Sequence, residues 1–425
     1  MPTPGLFAEL TWRGLVHQST DPELGALLDR EALVAYVGFD PTGDSLHLGH
    51  LLGIVSLMRL QRAGHRPIAL AGGGTGMVGD PSGRSDERQL LTPATLNANV
   101  EAIRAQLGGF LDFAPGGALL VDNADWLGPM GLLEFLRDVG KHFTVNAMLA
   151  KESVRARLNE REQGISYTEF SYMLLQAYDF LQLHRDHGCR LQLGGSDQWG
   201  NITAGIDLIR RITGAATYGL TFPLITRADG TKFGKTEAGT SIWLDPARTS
   251  PYELYQFLIR CEDAMVGTYL RQLTFRSRAE IDALDAATAT DPGSRRAQRA
   301  LAHDVVTLVH GEAEARAAEQ ASQVLFTEGI RDLPESTLVS VLADAPSTSL
   351  PRASVEGAGV VDLLVTTGLS SSRNEARRTI EGGGAYVNNR KVDGVDATLA
   401  PADLLFGRYL ILRRGKTTQH LVQVT

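Results

Sequence analysis

The apolar run Ala32-Leu33-Val34-Ala35-Tyr36-Val37-Gly38-Phe39 is short and uninterrupted, the pattern of a parallel strand buried on both faces. Asp40-Pro41-Thr42-Gly43-Asp44 ends it with turn-forming residues. From about Leu46 the apolar positions take helical spacing, and Gly64 supplies a stop. A second strand, Pro67-Ile68-Ala69-Leu70-Ala71, runs into Gly72-Gly73-Gly74-Thr75-Gly76, where absent side chains would let a ligand approach the backbone. Thr92-Pro93 reads as the N-cap and first residue of another helix, and amphipathic patterning continues to about Leu158. The helical period returns from Tyr167 to Leu183. Arg190-Leu191-Gln192-Leu193 then predicts a strand, a helix follows to about Thr213, and Phe222-Pro223-Leu224-Ile225 is strand-like. This alternation predicts an α/β fold, a parallel sheet with its ligand at the carboxyl edge.

Beyond Trp243-Leu244-Asp245-Pro246 the pattern changes. Ser250-Pro251 opens a helical region, rich in Ala, Arg and Glu, that extends to roughly Phe326. Residues 327–356 read as a linker with one short helix. A chain of 425 residues has room for two or three domains, and 43% hydrophobic with 21% charged residues is the balance of a soluble globular protein. Met1-Pro2-Thr3-Pro4-Gly5 has no basic leader and no apolar run is long enough to span a bilayer, so a cytoplasmic location without membrane contact is expected. Cys189 and Cys261 stand far apart, outside any CxxC pair, which argues against a disulfide framework or a cysteine zinc site. The net charge of −8 does not advertise a nucleic-acid binder, but residues 357–425 hold nine Lys/Arg against six Asp/Glu, a local +3. That tail is the better candidate for RNA contact.

His47 and His50, three residues apart, share one face of a helix's first turn, where backbone amides point outward unpaired at the positive end of the helix dipole. Two imidazoles beside free N–H groups suit a polyphosphate. A metal pair is disfavoured because the intervening Glu of the zinc-protease pattern is missing and no third ligand lies nearby; two ordinary surface histidines remain the alternative. Far downstream, Lys232-Phe233-Gly234-Lys235-Thr236 places two lysines around a glycine, a flexible cationic clamp that would be unremarkable alone. Tyr172, Gln176 and Asp179 form one stripe of an otherwise apolar helix. Burying a carboxylate and an amide there is costly without partners, which argues for a ligand or for pairing inside the protein. Asp197, after Gly194-Gly195, is a helix cap or a ligand for ribose hydroxyls. Gly79-Asp80-Pro81-Ser82-Gly83-Arg84 reads by itself as a surface turn.

Together, His47-Leu48-Gly49-His50 and Lys232-Phe233-Gly234-Lys235-Thr236 resemble the HIGH and KMSKS signatures of class I aminoacyl-tRNA synthetases, the second departing from consensus at three of five positions. Tyr36 through Thr42, Gly79 through Gly83, Tyr172 through Asp179 and Gly194 through Asn201 are similar to the tyrosyl family of bacteria, in order along nearly the whole chain. Gly368 through Arg378 and Gly382 through Val392 resemble the S4 RNA-binding domain, although the basic residue that usually opens its motif is absent near Val360-Val361-Asp362.

The resemblance implies a Rossmann-like catalytic domain at 1–245 with an inserted dimerisation segment at about 95–165, an α-helical anticodon-binding domain at 246–326, the linker, and a small α+β S4-like RNA-binding domain at 357–425. It implies a tyrosine–tRNA ligase that uses ATP with Mg²⁺ and no tightly bound cofactor, acts on L-tyrosine and its tRNA, and forms a homodimer. Tyr36 and Asp179 would meet the substrate phenol, Tyr172, Gln176 and Asp80 its ammonium group, and Gln192 and Gln198 the amino acid and α-phosphate. Thr42, His47, Lys232, Lys235 and Thr236 would hold pyrophosphate; Asp40, Gly49, His50 and Lys235 would bind ATP, with Asp197 on its ribose. Arg84 or Arg88 would meet phosphate, and Arg373, Arg377 and Arg378 the tRNA. Two rivals are a tryptophanyl enzyme, which needs no phenol-binding pair, and a non-catalytic RNA-binding protein with a synthetase fold.

Overall fold

The computed structural model describes residues 5–82, 91–151, 154–155, 158, 164–235, 239–324, 327–342, 345–415 and 418–425. Gly83, Arg84, Arg88 and Thr236 lie outside the described residues. The chain forms two compact units, Met1–Thr249 with Cys261–Leu301, and Ser250–Arg260 with Ala302–Thr425.

The first unit is built on a six-stranded sheet: β1 (Gln18–Ser19), β2 (Val34–Phe39), β3 (Arg66–Ala71), β4 (Leu119–Asp122), β5 (Cys189–Gly195) and β6 (Tyr218–Phe222). Its order is β1-β6-β5-β2-β3-β4, parallel except for the short edge strand β1. The main helices are α1 (Leu48–Arg62), α2 (Pro93–Leu107), α3 (Tyr167–His187), α4 (Trp199–Thr213) and α5 (Asp263–Leu273). Because β3 lies on one side of β2 and β5 on the other, strand order reverses at β2, and the crevice of a doubly wound sheet opens beyond the carboxyl ends of the strands at that reversal. Phe39-Asp40 and Gly194-Gly195 therefore frame the site.

Local chemistry accounts for most boundaries. Thr92 caps α2 through its hydroxyl, which accepts from the Thr95 amide at 3.2 Å, with Pro93 at the first helical position. Helix α1 is buried along nearly its whole length, from Leu48 to Leu60, as an apolar helix enclosed by a core must be. One strand differs from expectation: β6 is Tyr218–Phe222, and Pro223, having no N–H for the ladder, lies just past its end. The sequence pattern favoured Phe222–Ile225 because Gly219 and Thr221 dilute the apolar signal of the true strand.

In the second unit Ser250 and Glu253 form a reciprocal cap on the helix Pro251–Ile259. A five-stranded sheet follows, β7 (Ser347–Leu350), β8 (Ala385–Val387), β9 (Arg390–Lys391), β10 (Tyr409–Arg414) and β11 (Thr418–Val424), in the order β7-β11-β10-β8-β9. Val360, Leu364, Ala376 and Ile380, from the helix Val360–Thr366 and from α6 (Arg373–Glu381), bury against Leu410, Leu412 and Val422. Asn388 and Asn389, with φ of 48° and 62°, make the tight β8–β9 turn in the left-handed region that asparagine tolerates. The stretch 327–356, expected as a linker, holds the helix Glu335–Val341 and also β7, which pairs in parallel with β11. Its largely polar Ser-Thr-Ser-Leu sequence hid that strand. Among the described residues no helix is long and apolar enough to cross a membrane.

Candidate active site

A cleft of about 270 Å³ opens at the reversal point of the first unit. Tyr36, Asp40, Gly49, His50, Asp80, Tyr172, Gln176, Asp179, Gln192, Asp197, Gln198 and Lys232, read from five separated stretches, all line it. Thr42, His47 and Lys235 are not among the lining residues. Thr42 and Lys235 are exposed, and His47 stacks on the cleft-lining His50 with ring centroids 3.8 Å apart.

The two signatures are joined through one extended segment. The Leu48 amide donates to the Ile242 carbonyl at 2.8 Å, and the Leu244 amide to Leu46 at 2.8 Å. On its other side the Ile242 amide donates to Gly234 at 2.9 Å, and Lys235 bridges Ser241. Gly234 has φ of +111° and sits where a Cβ would lie 3.5 Å from the Gly49 amide nitrogen, so a side chain there would be strained. Helix α2 props the turn ahead of α1: Asn99 donates to the Pro41 carbonyl at 3.1 Å and Gln106 Oε1 accepts from the Leu46 amide at 2.8 Å.

The first-turn amides of α1 are not unpaired, contrary to expectation. Leu48 donates to Ile242, Gly49 to His47 Nδ1 at 3.1 Å, and His50 to the His47 carbonyl at 2.8 Å. The His47 amide in turn donates to His50 Nδ1 at 3.0 Å. Each imidazole thus caps the helix with Nδ1, which places the hydrogen of the neutral ring on Nε2. This helix start therefore presents two capping imidazoles in place of bare backbone amides. Gly49 is required beneath them, since a Cβ there would lie 2.9 Å from His47 Cε1.

At the inner end of the cleft Asp179 is buried. Its Oδ1 accepts from Trp126 Nε1 at 2.8 Å and its Oδ2 from Asn123 Nδ2 at 2.9 Å. Burial pushes the carboxyl up to about 7 against those two hydrogen bonds. Pairing inside the protein, the alternative weighed for Asp179, is therefore real but leaves acceptor capacity over. The Tyr36 hydroxyl is fully buried with no hydrogen-bond partner among the described residues, and burial followed by the neighbouring Asp179 raises its pKa well above the ordinary phenol value. Gln192 Oε1 is likewise buried and without a hydrogen-bond partner among the described residues. An unsatisfied buried polar group costs roughly 1–3 kcal/mol, so two at one end of a cleft mark a place for a polar ligand.

A second polar cluster lies beside the first. Gln198 Nε2 donates to Asp80 Oδ2 at 2.6 Å, Gln176 Nε2 to Gln198 Oε1 at 3.1 Å, and Asn201 Nδ2 to Gln176 Oε1 at 3.0 Å. The Tyr172 hydroxyl donates to Asp40 Oδ2 at 3.2 Å. Asp197 does not cap α4, whose N-cap is Gln198 with no side-chain cap bond; burial and Asp80 raise its pKa while Lys232 pulls it down. Gly194 admits Gln198, whose Cβ would lie 2.9 Å from an added Cβ. Gly72 and Gly73 serve packing, not ligand approach: a Cβ on them would meet Asp40 Oδ1 at 2.6 Å and Asp122 Oδ1 at 2.4 Å, and neither lines the cleft.

Asn123, Trp126 and Asn201 escaped the sequence reading. Asn201 stood within the quoted Gly194–Asn201 stretch, but Asn123 and Trp126 lie in a segment with no periodic or motif signal. Among the described residues no group of three His, Cys, Asp or Glu is placed to hold a metal ion. In the second unit Arg373, Arg377 and Arg378 are exposed on α6, and Arg373 Nε donates to Asp362 at 2.6 Å.

The family model described as tRNA synthetases class I (W and Y) matches residues 28–327, and that described as the tyrosine–tRNA ligase SYY-like C-terminal domain matches 338–422. The sheet, the histidine-capped helix and the lysine loop thus define a class I synthetase. A tyrosine–tRNA ligase of Roseiflexus castenholzii is 54% identical over 420 residues, covering 98% of both chains, and one of Bacillus caldotenax is 52% identical over 422 residues, covering 98% of this chain and 99% of that one. The chain belongs to the tyrosine–tRNA ligase family. A C-terminally truncated mitochondrial tyrosyl-tRNA synthetase of Aspergillus nidulans has the same fold, with a TM-score of 0.69 and 32% identity over 76% of this chain and 94% of that one.

Proposed function

We propose that the chain activates L-tyrosine with ATP to tyrosyl-adenylate and pyrophosphate, then passes the tyrosyl group to the terminal ribose of its tRNA. The observation that carries this reading is the unpartnered Tyr36 hydroxyl beside Asp179 at the inner end of a cleft that His50 and Lys232 also line. The substrate phenol donates to Asp179 and accepts from Tyr36. Phenylalanine would leave the Tyr36 hydroxyl without its partner and the remaining acceptor capacity of Asp179 unused, a principle for which tyrosyl enzymes are themselves the standing example. Asp80, with Gln176 and Tyr172, faces the ammonium group, and Gln192 and Gln198 lie toward the carboxylate and α-phosphate.

The carboxylate attacks the α-phosphorus as pyrophosphate departs, so catalysis reduces to positioning and to meeting developing charge. His47 and His50 present Nε2–H donors and Lys232 and Lys235 ammonium groups, with Thr42 and Thr236 as hydroxyl donors, while Asp40, Gly49 and Asp197 hold the nucleoside side. Mg²⁺ would neutralise phosphate charge, held by phosphate oxygens and water without a dedicated protein cage. A catalytic domain at 1–245 and a helical anticodon-binding domain at 246–326 are the division this function favours, with Arg373, Arg377 and Arg378 contacting tRNA phosphates from an S4-like domain at 357–425. Exposed Leu132, Leu133, Leu136, Val145 and Leu149 crowd the segment 95–165, an apolar face of the kind a homodimer covers. A cytoplasmic location is part of the same proposal.

Tyrosine-dependent exchange of labelled pyrophosphate into ATP tests the reading. Exchange with tyrosine and none with tryptophan or phenylalanine is expected; exchange with tryptophan alone, or none with any amino acid, would overturn it.

A further inference from the structure

Helix α5 lies outside both signatures and outside the cleft lining, yet it touches the lysine loop at two points. The Tyr269 ring stacks on Phe233, with centroids 4.2 Å apart and planes inclined by 23°. The Tyr269 hydroxyl donates to the Thr226 carbonyl at 2.8 Å. Thr226 is the antiparallel partner of Lys232, and the Phe233 amide donates to Ile225 at 2.9 Å. One side chain thus grips both arms of the hairpin that carries Lys232 and Lys235. Tyr269 and Phe233 are both buried while the two lysines are exposed, so the hairpin is seated by its aromatic residue and carries its charges at the surface.

The far end of α5 is held as firmly. Arg13 Nη1 donates to the Arg271 carbonyl at 3.0 Å and Nη2 to Arg276 at 2.6 Å, and Arg59 of α1 donates to Thr274. Two guanidinium groups at a helix C-terminus satisfy its last carbonyls and oppose its dipole. Helix α1 therefore carries the histidine pair at one end and anchors α5 at the other, and α5 returns to seat the lysine hairpin.

We infer that Tyr269 is a positioning residue of the lysine loop, setting the fraction of time Lys232 and Lys235 stand opposite His47 and His50. It touches no reacting group; the inference rests on the adenylation reading above. Since an aromatic stack contributes about 0.5–1.5 kcal/mol, Tyr269→Leu should slow adenylate formation up to about tenfold with tyrosine affinity unchanged. Tyr269→Phe keeps the ring, loses only the bond to Thr226, and should restore most of the rate.

The test pairs single-turnover adenylate formation and tyrosine binding with limited trypsin digestion, read by mass at Lys232 and Lys235, in the full chain and in Tyr269→Leu, Tyr269→Phe, Phe233→Leu and the Phe233→Leu/Tyr269→Leu double variant. Faster cleavage and a slower rate in Tyr269→Leu, near wild type in Tyr269→Phe, with the double variant no worse than its worse single, support the inference. Unchanged rate and cleavage in Tyr269→Leu, or tyrosine affinity falling in step with rate, overturns it. If Tyr269→Leu does not fold, Tyr269→Phe and Phe233→Leu decide: neither altering cleavage sinks the inference. Wild-type protein without adenylate formation refutes the adenylation reading instead, and the cleavage pattern still judges the Tyr269 contact.

Discussion

Asp179 is in tension with its surroundings. Burial lifts its carboxyl from an ordinary 3.8 to about 7, so the folded protein holds a proton that the unfolded chain releases over that interval. Native stability from this group is therefore greatest below about pH 4 and declines as pH rises toward 7. Denaturation midpoints measured across that range should show a downward component that is missing in Asp179→Asn. Substrate runs the other way: a phenol O–H donates better to the carboxylate than to the acid, so tyrosine affinity should strengthen as pH climbs through about 7. Titration calorimetry at several pH values should show the rise in wild type and a flat line in Asp179→Asn. The same variant should lose much of its preference for tyrosine over phenylalanine in pre-steady-state adenylation; an unchanged preference would remove Asp179 from the phenol site.

At the scale of elements, the lysine hairpin and the start of α1 share the segment 241–244 through backbone bonds, which fix their approximate placement and leave the Tyr269–Phe233 stack to steady the loop upon it. The lysines themselves remain exposed, as befits groups that act when charge appears. Lys235→Ala should slow adenylate formation on the order of 10²-fold while the tyrosine dissociation constant stays within about twofold, the signature of an interaction made chiefly in the transition state. Equal losses in both would contradict that role. Helix starts were legible because Thr92, Ser250 and Pro93 act locally; β7 and β6 were not, because a strand's partner is distant in sequence and Ser347-Thr348-Ser349 announces nothing by itself. The unpaired amides expected at α1 were a reasonable reading of any helix start. They failed because the very histidines that marked the site also cap it.

Over the whole molecule, most of the polar lining of the cleft was readable from the sequence, since Tyr36, Asp80, Tyr172, Gln176, Asp179 and Gln192 converge where strand order reverses, whereas Thr75 and Ser82 were not foreseen and Thr42, His47 and Lys235 lie outside the lining. The supports of the lining were not readable: Asn123 and Trp126 hold Asp179 from a stretch of no particular pattern, and only the fold brings them across. The proposed homodimer rests on a plainer mark. Leu133 is 81% exposed and Leu132 70%, adjacent apolar side chains of the kind that an interface covers. Leu133→Glu should shift the protein from dimer to monomer in sedimentation velocity; a wild-type chain that sediments as a monomer at micromolar concentration would refute the dimer.

The parallel partnership of β7 with β11 bears on where the tail could be severed. Leu350 accepts from the Thr425 amide and Arg352 donates to the Thr425 carbonyl, so the chain's last residue is stitched to a segment upstream of the S4-like portion. A fragment beginning at residue 357 would uncover β11 as a raw margin, open to pairing with its own copies. One beginning ahead of residue 327 would keep that margin sheathed, and should elute from gel filtration as a single species where the shorter piece associates.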